Sequence, residues 1–248
     1  MYNLLKNTLK RLVPNDFIQK NERMLRNLAY PFFRGAAHRC NICEAQLRGF
    51  VGEQRICPRC GSLARGRRLF TLLSDEIERR GPKTKVLHLS PASYFRDKII
   101  TTYPELTYHT SDYVGEFDAE NSFDLRDTRL NDDSYDLVIC YHILEHIVED
   151  RQAMNELYRI LRPGGSGFIQ TPYCSVDGSS LEDYSITTPE GRLEHFGQDD
   201  HVRIYSVRDL TERLSSAGFG VEVLAFPSDP KTEQLGFKEG ERVILVEK

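Results

Sequence analysis

The chain has 248 residues, 40% hydrophobic and 28% charged, enough to bury a real core and to carry one main domain plus an accessory. No apolar run approaches the roughly 18 residues needed to cross a bilayer, and the first residues lack the apolar block and cleavage site of a secretory signal, so a soluble, cytoplasmic protein is expected. The net charge of -4 hides an asymmetry: residues 1–80 hold 16 Lys and Arg against 7 Asp and Glu, and the remainder 17 against 30. Such a basic segment suits an anionic partner, whether RNA, an acidic glycan or a membrane surface, and equally suits attraction between two parts of one chain.

Residues 1–39 read as a basic, amphipathic helical arm. In "MYNLLKNTLKRLV" the residues Leu4, Leu5, Leu9, Leu12 and Val13 fall near helical spacing with Lys6, Lys10 and Arg11 between them. Such a helix packs on its own protein, pairs with a second copy as a homodimer, or lies on an anionic membrane and makes the protein peripheral to it.

Residues 40–62 carry the strongest local signal, "CNICEAQLRGFVGEQRICPRC", in which Cys40, Cys43, Cys57 and Cys60 form two CxxC pairs separated by thirteen residues. A CxxC turn brings two thiolates onto one tetrahedral ion, and Gly61 lets the backbone turn tightly after the second pair. The expected product is a structural zinc ribbon whose four protein ligands leave no position for catalytic water. Arg48, Arg55, Arg59, Arg65, Arg67 and Arg68 decorate the ribbon and its exit, as an RNA-binding face or simply a solvated one. Only Phe50 supplies an aromatic there, which is thin support for base stacking. Cys140 and Cys174 stand alone and read as core or pocket-wall residues.

After a connecting helix over 63–81 the pattern changes to short apolar runs alternating with helical ones, over 82–248. Strands are predicted at "KVLHLS", "LTYHTSD", "SFDL", "YDLVICY" and "SGFIQTPY", with helices at "SYFRDKIITTY" and "DRQAMNELYRILRPGG". A long polar insertion over 173–205 follows, then a helix capped by Ser206 with Asp209 three residues on and stopped at Gly218, then a closing hairpin of "VEVLAF" and "ERVILVEK". The alternation predicts an α/β fold with a doubly wound, mostly parallel sheet. Ligands of such sheets bind beyond the C-terminal strand ends, which singles out "SPAS", Asp112, Asp124 and "CYHILEH".

The run "FDLRDTRLNDDSYDLVICYHILEHIVEDRQAMNELYRILRPGG" is similar to the class I S-adenosylmethionine-dependent methyltransferases, of the methyltransferase-11-like kind, from their third strand to their Pro-Gly-Gly turn. Together with the ribbon, "HLSPAS" and "FGQDDHVRIYS", it resembles a bacterial subgroup of zinc-ribbon methyltransferases, over roughly residues 40–248. The resemblance implies a Rossmann-like fold, S-adenosylmethionine as cofactor and methyl transfer to an acceptor that the sequence does not identify. It places Asp112 on the ribose hydroxyls and Asp124 on the adenine amino group, with Tyr113, Leu125 and Tyr141 beside them. The family's acidic-x-Gly-x-Gly-x-Gly loop falls on His88, Ser90, Ala92 and Tyr94, so all three glycines are missing and Pro91 stiffens the turn. Close approach to the cofactor remains open at Ser90 and Ala92.

Methyl transfer needs an aligned nucleophile and a water-poor pocket, plus a base when the nucleophile is weak. Candidate bases are His142, His146 and His201, with Glu145 orienting a histidine or the substrate. The insertion, dense in Asp199, Asp200, His201, Arg203 and Tyr205, reads as a substrate lid or as a self-contained hydrogen-bonded loop. "HILEH" also fits the H-x-x-E-H pattern of some zinc peptidases, which requires both histidines on one helical face; a second zinc per chain would speak for it. The remaining alternative is a non-catalytic binding module on a degenerate fold.

Overall fold

A computed structural model of the chain describes residues 21–248, so the amphipathic stretch proposed before residue 21 lies outside the described residues. The described chain divides into two compact units.

The first unit comprises residues 21–73 and 227–239. It opens with α1 (Glu22–Ala29) and a 3-10 turn (Tyr30–Phe33). Residues 34–39 are a strand rather than helix: β1 (Arg34–Arg39) pairs antiparallel with β2 (Gln46–Leu47) across the first cysteine turn. Helix α2 (Ala64–Arg80) begins here and continues into the second unit. Arg67 and Arg68, expected on a basic face, are buried instead. The Arg67 guanidinium donates to the carbonyls of Arg55, Ser62, Leu235 and Gly236 and stacks 3.9 Å over the Phe50 ring, while Arg68 bonds the Lys238 carbonyl and covers Phe237. A planar fork with five donors can knit loops in this way because each N–H finds a carbonyl.

The second unit, Ser74–Phe226 with Gly240–Lys248, holds a six-stranded sheet. Its elements in order are β3 (Lys85–Leu89), α3 (Ser93–Thr102), β4 (Thr107–Ser111), β5 (Tyr135–Tyr141), α4 (Asp150–Ile160) and β6 (Leu161–Gln170). There follow β7 (Tyr173–Ser175), β8 (Leu181–Glu182), α5 (Pro189–Phe196), β9 (Arg203–Ser206), α6 (Val207–Ser216) and β10 (Gly220–Phe226). Helix α7 (Pro230–Gln234) belongs to the first unit, and β11 (Glu241–Glu247) closes the sheet of the second.

Strand order is β10-β11-β6-β5-β3-β4; β4, β3, β5 and β6 run parallel, while β11 is antiparallel to both β6 and β10. The central strands β3 and β5 are near-continuous apolar runs, as strands covered on both faces must be, whereas the edge strand β4 is mostly polar. Helix α4 buries Ala153, Met154, Leu157 and Ile160, a stripe at helical spacing, and α6 buries Val207, Leu210 and Leu214. Burial of each large apolar side chain contributes about 1.5–3 kcal/mol before entropy is charged against it. The Ser206 side chain accepts the Asp209 N–H as predicted, and Gly218, at φ +108°, ends the turn after α6. Any Cβ at Gly218 would sit 2.9 Å from the Tyr158 ring, so the close approach needs glycine as well.

Two element predictions need correction. The stretch "SFDL" is no strand: the third-strand position is reduced to a single parallel bridge, Ser111 to Asn121, because the following Asp124 folds back onto Arg126 and leaves the ladder. The helix before "RPGG" stops at Ile160, and Leu161 to Gly165 already belong to β6, with an irregularity in its pairing to β5. Cys140 is buried in the sheet, whereas Cys174 is exposed and lines no core.

Candidate functional site

The direction of strand order changes between β3 and β5, so the crevice beyond their C-terminal ends is the topological switch point. Ser90 follows β3 there with φ +48°, the left-handed region a glycine would occupy. Its N–H bonds the Ser111 carbonyl at 2.7 Å and its Oγ donates to Asp112 Oδ1 at 2.6 Å. Serine thus supplies both the turn and an oxygen that fixes the carboxylate. Pro91 is buried, and Ala92 stands at the N-terminus of α3.

Asp112, 5% exposed, ends β4, and its Oδ2 accepts the Phe117 N–H at 3.1 Å. Tyr113 beside it is exposed. Asp124 is taken up by Arg126, which donates to both carboxylate oxygens and reaches on to Glu149. Those bonds hold the Asp124 carboxyl below its ordinary range. Leu125 packs in the core and Tyr141 closes β5, half-buried. His88 is committed to the interior: its Nδ1 lies 2.7 Å from the Tyr108 hydroxyl, Phe95 packs edge-on, and burial pushes its pKa down to about 3.

After β5 the chain turns at His142, φ +56°, whose N–H bonds the Gln170 carbonyl, and then forms a single 3-10 turn, Leu144–His146. His142 and His146 therefore do not share the helical face a peptidase needs. Glu145 is fully buried; His142 Nδ1 lies 3.3 Å from its Oε1. Burial pushes the Glu145 carboxyl up, but His142 and His146 outweigh it, and the group stays below its ordinary range. His146 Nδ1 contacts Asp200 at 3.0 Å, and its ring meets His201 edge-on with centroids 4.7 Å apart. Burial lowers the His201 pKa, with His146 adding to the effect.

Several buried polar atoms in this region lack a hydrogen-bond partner: His142 Nε2, both Glu145 carboxylate oxygens, Gln170 Oε1, Thr171 Oγ1 and the Tyr173 hydroxyl. All belong to the C-terminal ends of β5 and β6 or to the turn into β7. Buried orphans are costly, so their convergence marks a place built for a polar ligand. Sequence reading missed Gln170, Thr171 and Tyr173, although "FIQTPY" puts three polar side chains directly after an apolar strand.

The insertion is a small three-stranded sheet, β7-β9-β8, with α5. Arg203, fully buried, donates to the carbonyls of Leu144, Ile147 and Val148 and pairs with Glu182, and Arg213 joins Asp150, Glu182 and Asp209. The Tyr205 hydroxyl donates to Asp150 at 2.5 Å. This network fixes the turn that carries Glu145.

Residues 104–169 match the family model described as a methyltransferase domain. That stretch of the chain is thus similar to a methyltransferase domain. The chain shares 35% identity over 101 residues with a protein of Mycolicibacterium smegmatis named a probable S-adenosylmethionine-dependent methyltransferase, a match covering 40% of this chain and 34% of that relative. The chain thus spans about a third of the length of the curated relative it matches. Among solved structures, the chain is similar to a SAM-dependent methyltransferase from Archaeoglobus fulgidus, with 15% identity, TM-score 0.47, and coverage of 72% of this chain and 94% of the other. It is also similar to Haemonchus contortus phosphoethanolamine N-methyltransferase 2 in complex with S-adenosyl-L-methionine, with 18% identity, TM-score 0.45, and coverage of 63% and 38%.

In the first unit the four cysteines converge. Cys40 and Cys60 sulfurs are 3.7 Å apart, Cys43 and Cys57 3.8 Å, and all four lie within 4.8 Å of one another. A tetrahedral ion with sulfurs at about 2.3 Å sets them about 3.8 Å apart, so the donor set fits zinc. Both turns use the same backbone: Glu44 (φ +60°) and Gly61 (φ +79°) follow their CxxC pairs, with N–H bonds back to Cys40 and Cys57. Gly61 was legible; Glu44 takes the same conformation without being glycine.

Proposed function

We propose that the protein is an S-adenosylmethionine-dependent methyltransferase acting on a polar acceptor, a small molecule, glycan or RNA, and that its four cysteines hold a structural zinc. The observation that carries the reading is the Ser90–Asp112 pair at the switch point. A carboxylate offers about four lone-pair directions; Ser90 and Phe117 use two on Asp112, leaving two for a ribose diol. Ser90 keeps the backbone in the glycine conformation that close approach requires.

When bound, S-adenosylmethionine supplies the methyl group on its sulfonium. The chain's residues then orient and deprotonate the acceptor: the orphaned Gln170, Thr171 and Tyr173 atoms are suited to bind it, and His142, next to ionised Glu145, is suited to take a proton. Asp124 reaches adenine only if its fork with Arg126 opens. An anionic partner would engage Arg48, Arg55, Arg59 and Arg65, since Arg67 and Arg68 are spent inside.

Calorimetric titration of the zinc-replete protein with S-adenosylmethionine and S-adenosylhomocysteine tests the reading. Saturable one-to-one binding is expected, and Asp112→Ala is expected to abolish it without changing zinc content. No heat at several temperatures, with no ligand-induced thermal shift, would assign the chain to a non-catalytic binding module.

A further inference from the structure

Glu145 poses an electrostatic problem that the methyltransferase reading leaves unsolved. Its carboxylate is fully buried and neither oxygen has a well-formed hydrogen bond; the His142 imidazole Nδ1 stands 3.3 Å from Oε1. Ionised carboxylates in such surroundings are unfavourable unless a cation or hydrogen bonds compensate. Two further donors approach the same place. Ligand atoms of Glu145, His146 and His201 all lie within 4.8 Å of one another.

The histidines are also prepared in a particular way. His146 Nδ1 lies 3.0 Å from the Asp200 carboxylate and His201 Nδ1 lies 3.2 Å from the Phe196 carbonyl. Both neighbours can only accept, so each Nδ1 carries a proton and Nε2 is the ring nitrogen left to take an ion. Imidazole held by an oxygen acceptor on its far nitrogen is the outer-shell arrangement that orients metal-binding histidines. The backbone reinforces it, because the Val202 N–H bonds the Glu145 carbonyl at 2.9 Å and so ties His201 beside Glu145.

We propose that Glu145, His146 and His201 form a second metal site, for a divalent transition ion such as Zn2+, separate from the four cysteines. Two imidazoles and one carboxylate suit zinc, and three protein ligands leave a coordination position open to an oxygen ligand, unlike the closed cysteine set. Tetrahedral ligands at about 2.0–2.2 Å from an ion stand about 3.3–3.6 Å apart, so the side chains close by roughly an ångström around it. The ligand set also differs from the H-x-x-E-H peptidase pattern, since Glu145 takes the place His142 would have. Ion binding does not depend on S-adenosylmethionine binding, and the two can fail separately.

The test uses the full chain, dialysed against a weak chelator, then titrated with Zn2+ and analysed for bound metal, with S-adenosylmethionine titrated into the same samples. Two zinc ions per chain are expected in the wild type and one in the His146→Ala/His201→Ala double variant. A single zinc in the wild type, or two in the double variant, overturns the proposal whatever the cofactor titration shows. Since that variant removes buried groups, Asp200→Asn provides the second arm: Asp200 is exposed, and its loss is expected to weaken only the second ion, by about 10–100-fold. Unchanged affinity of that ion in Asp200→Asn overturns the assignment.

Discussion

At Ser90 a non-glycine residue holds a left-handed backbone, a conformation that costs about 1–2 kcal/mol, and recovers part of it through the bonds to Ser111 and Asp112. The letters "SPAS" show small side chains but not a dihedral angle, so loss of the glycines was visible while retention of the glycine conformation was not. The Ser206 cap was legible because its signal lies within three residues. His88 teaches the opposite lesson, since its alignment with a binding position says nothing about the Tyr108 hydroxyl that holds its ring inside. Its folded pKa of about 3 lies below the ordinary histidine value of 6.5. The unfolded chain therefore takes up a proton that the folded one refuses; the stabilisation is complete above about pH 6.5 and is lost progressively toward pH 3. His201 acts in the same direction. Urea unfolding at pH 7.5 and 5 is expected to show a fall in stability that shrinks by about 2 kcal/mol in the double variant His88→Leu/Tyr108→Phe. Equal falls in both proteins would place the acid sensitivity elsewhere.

Among the elements, the central parallel strands were readable as short apolar runs, and the amphipathic helices from periodicity, because their burial repeats at fixed intervals. The insertion was not, since its order comes from a few long-range polar contacts rather than from a repeat. Asp199, Asp200, His201, Arg203 and Tyr205 are neighbours in sequence with separate fates: Asp199 is exposed, Asp200 and His201 flank the Glu145 cluster, and Arg203 and Tyr205 enter the buried network. Replacing Arg203 by Met takes a donor from three carbonyls, of which Leu144 keeps the Ile147 N–H and the Tyr205 hydroxyl, and removes one cation from Asp150 and Glu182. A loss of about 3–5 kcal/mol in urea unfolding is expected, and Arg203→Lys is expected to recover little of it, because a single ammonium cannot replace the fork. A loss under about 1 kcal/mol would mean that the insertion is held by its apolar contacts instead.

On the scale of the whole molecule, the cysteine spacing announced a small module, but nothing in the sequence announced that residues 227–239 would join it from the far end of the chain. The segment between "VEVLAF" and "ERVILVEK" has no cysteine or histidine and no periodicity; its role depends on carbonyls, which every residue has. For Cys40→Ser/Cys57→Ser, limited proteolysis is expected to cut residues 21–73 and 227–239 first, with affinity for S-adenosylmethionine retained in the surviving unit. A variant that resists protease in those segments yet loses the cofactor would contradict a purely structural role for the thiolates.

That late-arriving segment also sets a timetable. Arg67 is synthesised early, but two of the carbonyls that receive its guanidinium, those of Leu235 and Gly236, follow almost 170 residues later. At ribosomal speeds of roughly 5–20 residues per second, the nascent cysteine module waits about 10–30 s for its last partners. During that interval the Arg67 guanidinium has only the Arg55 and Ser62 carbonyls of its four acceptors to turn to. A module that stands near the beginning of the chain is therefore among the last parts of the protein to be finished.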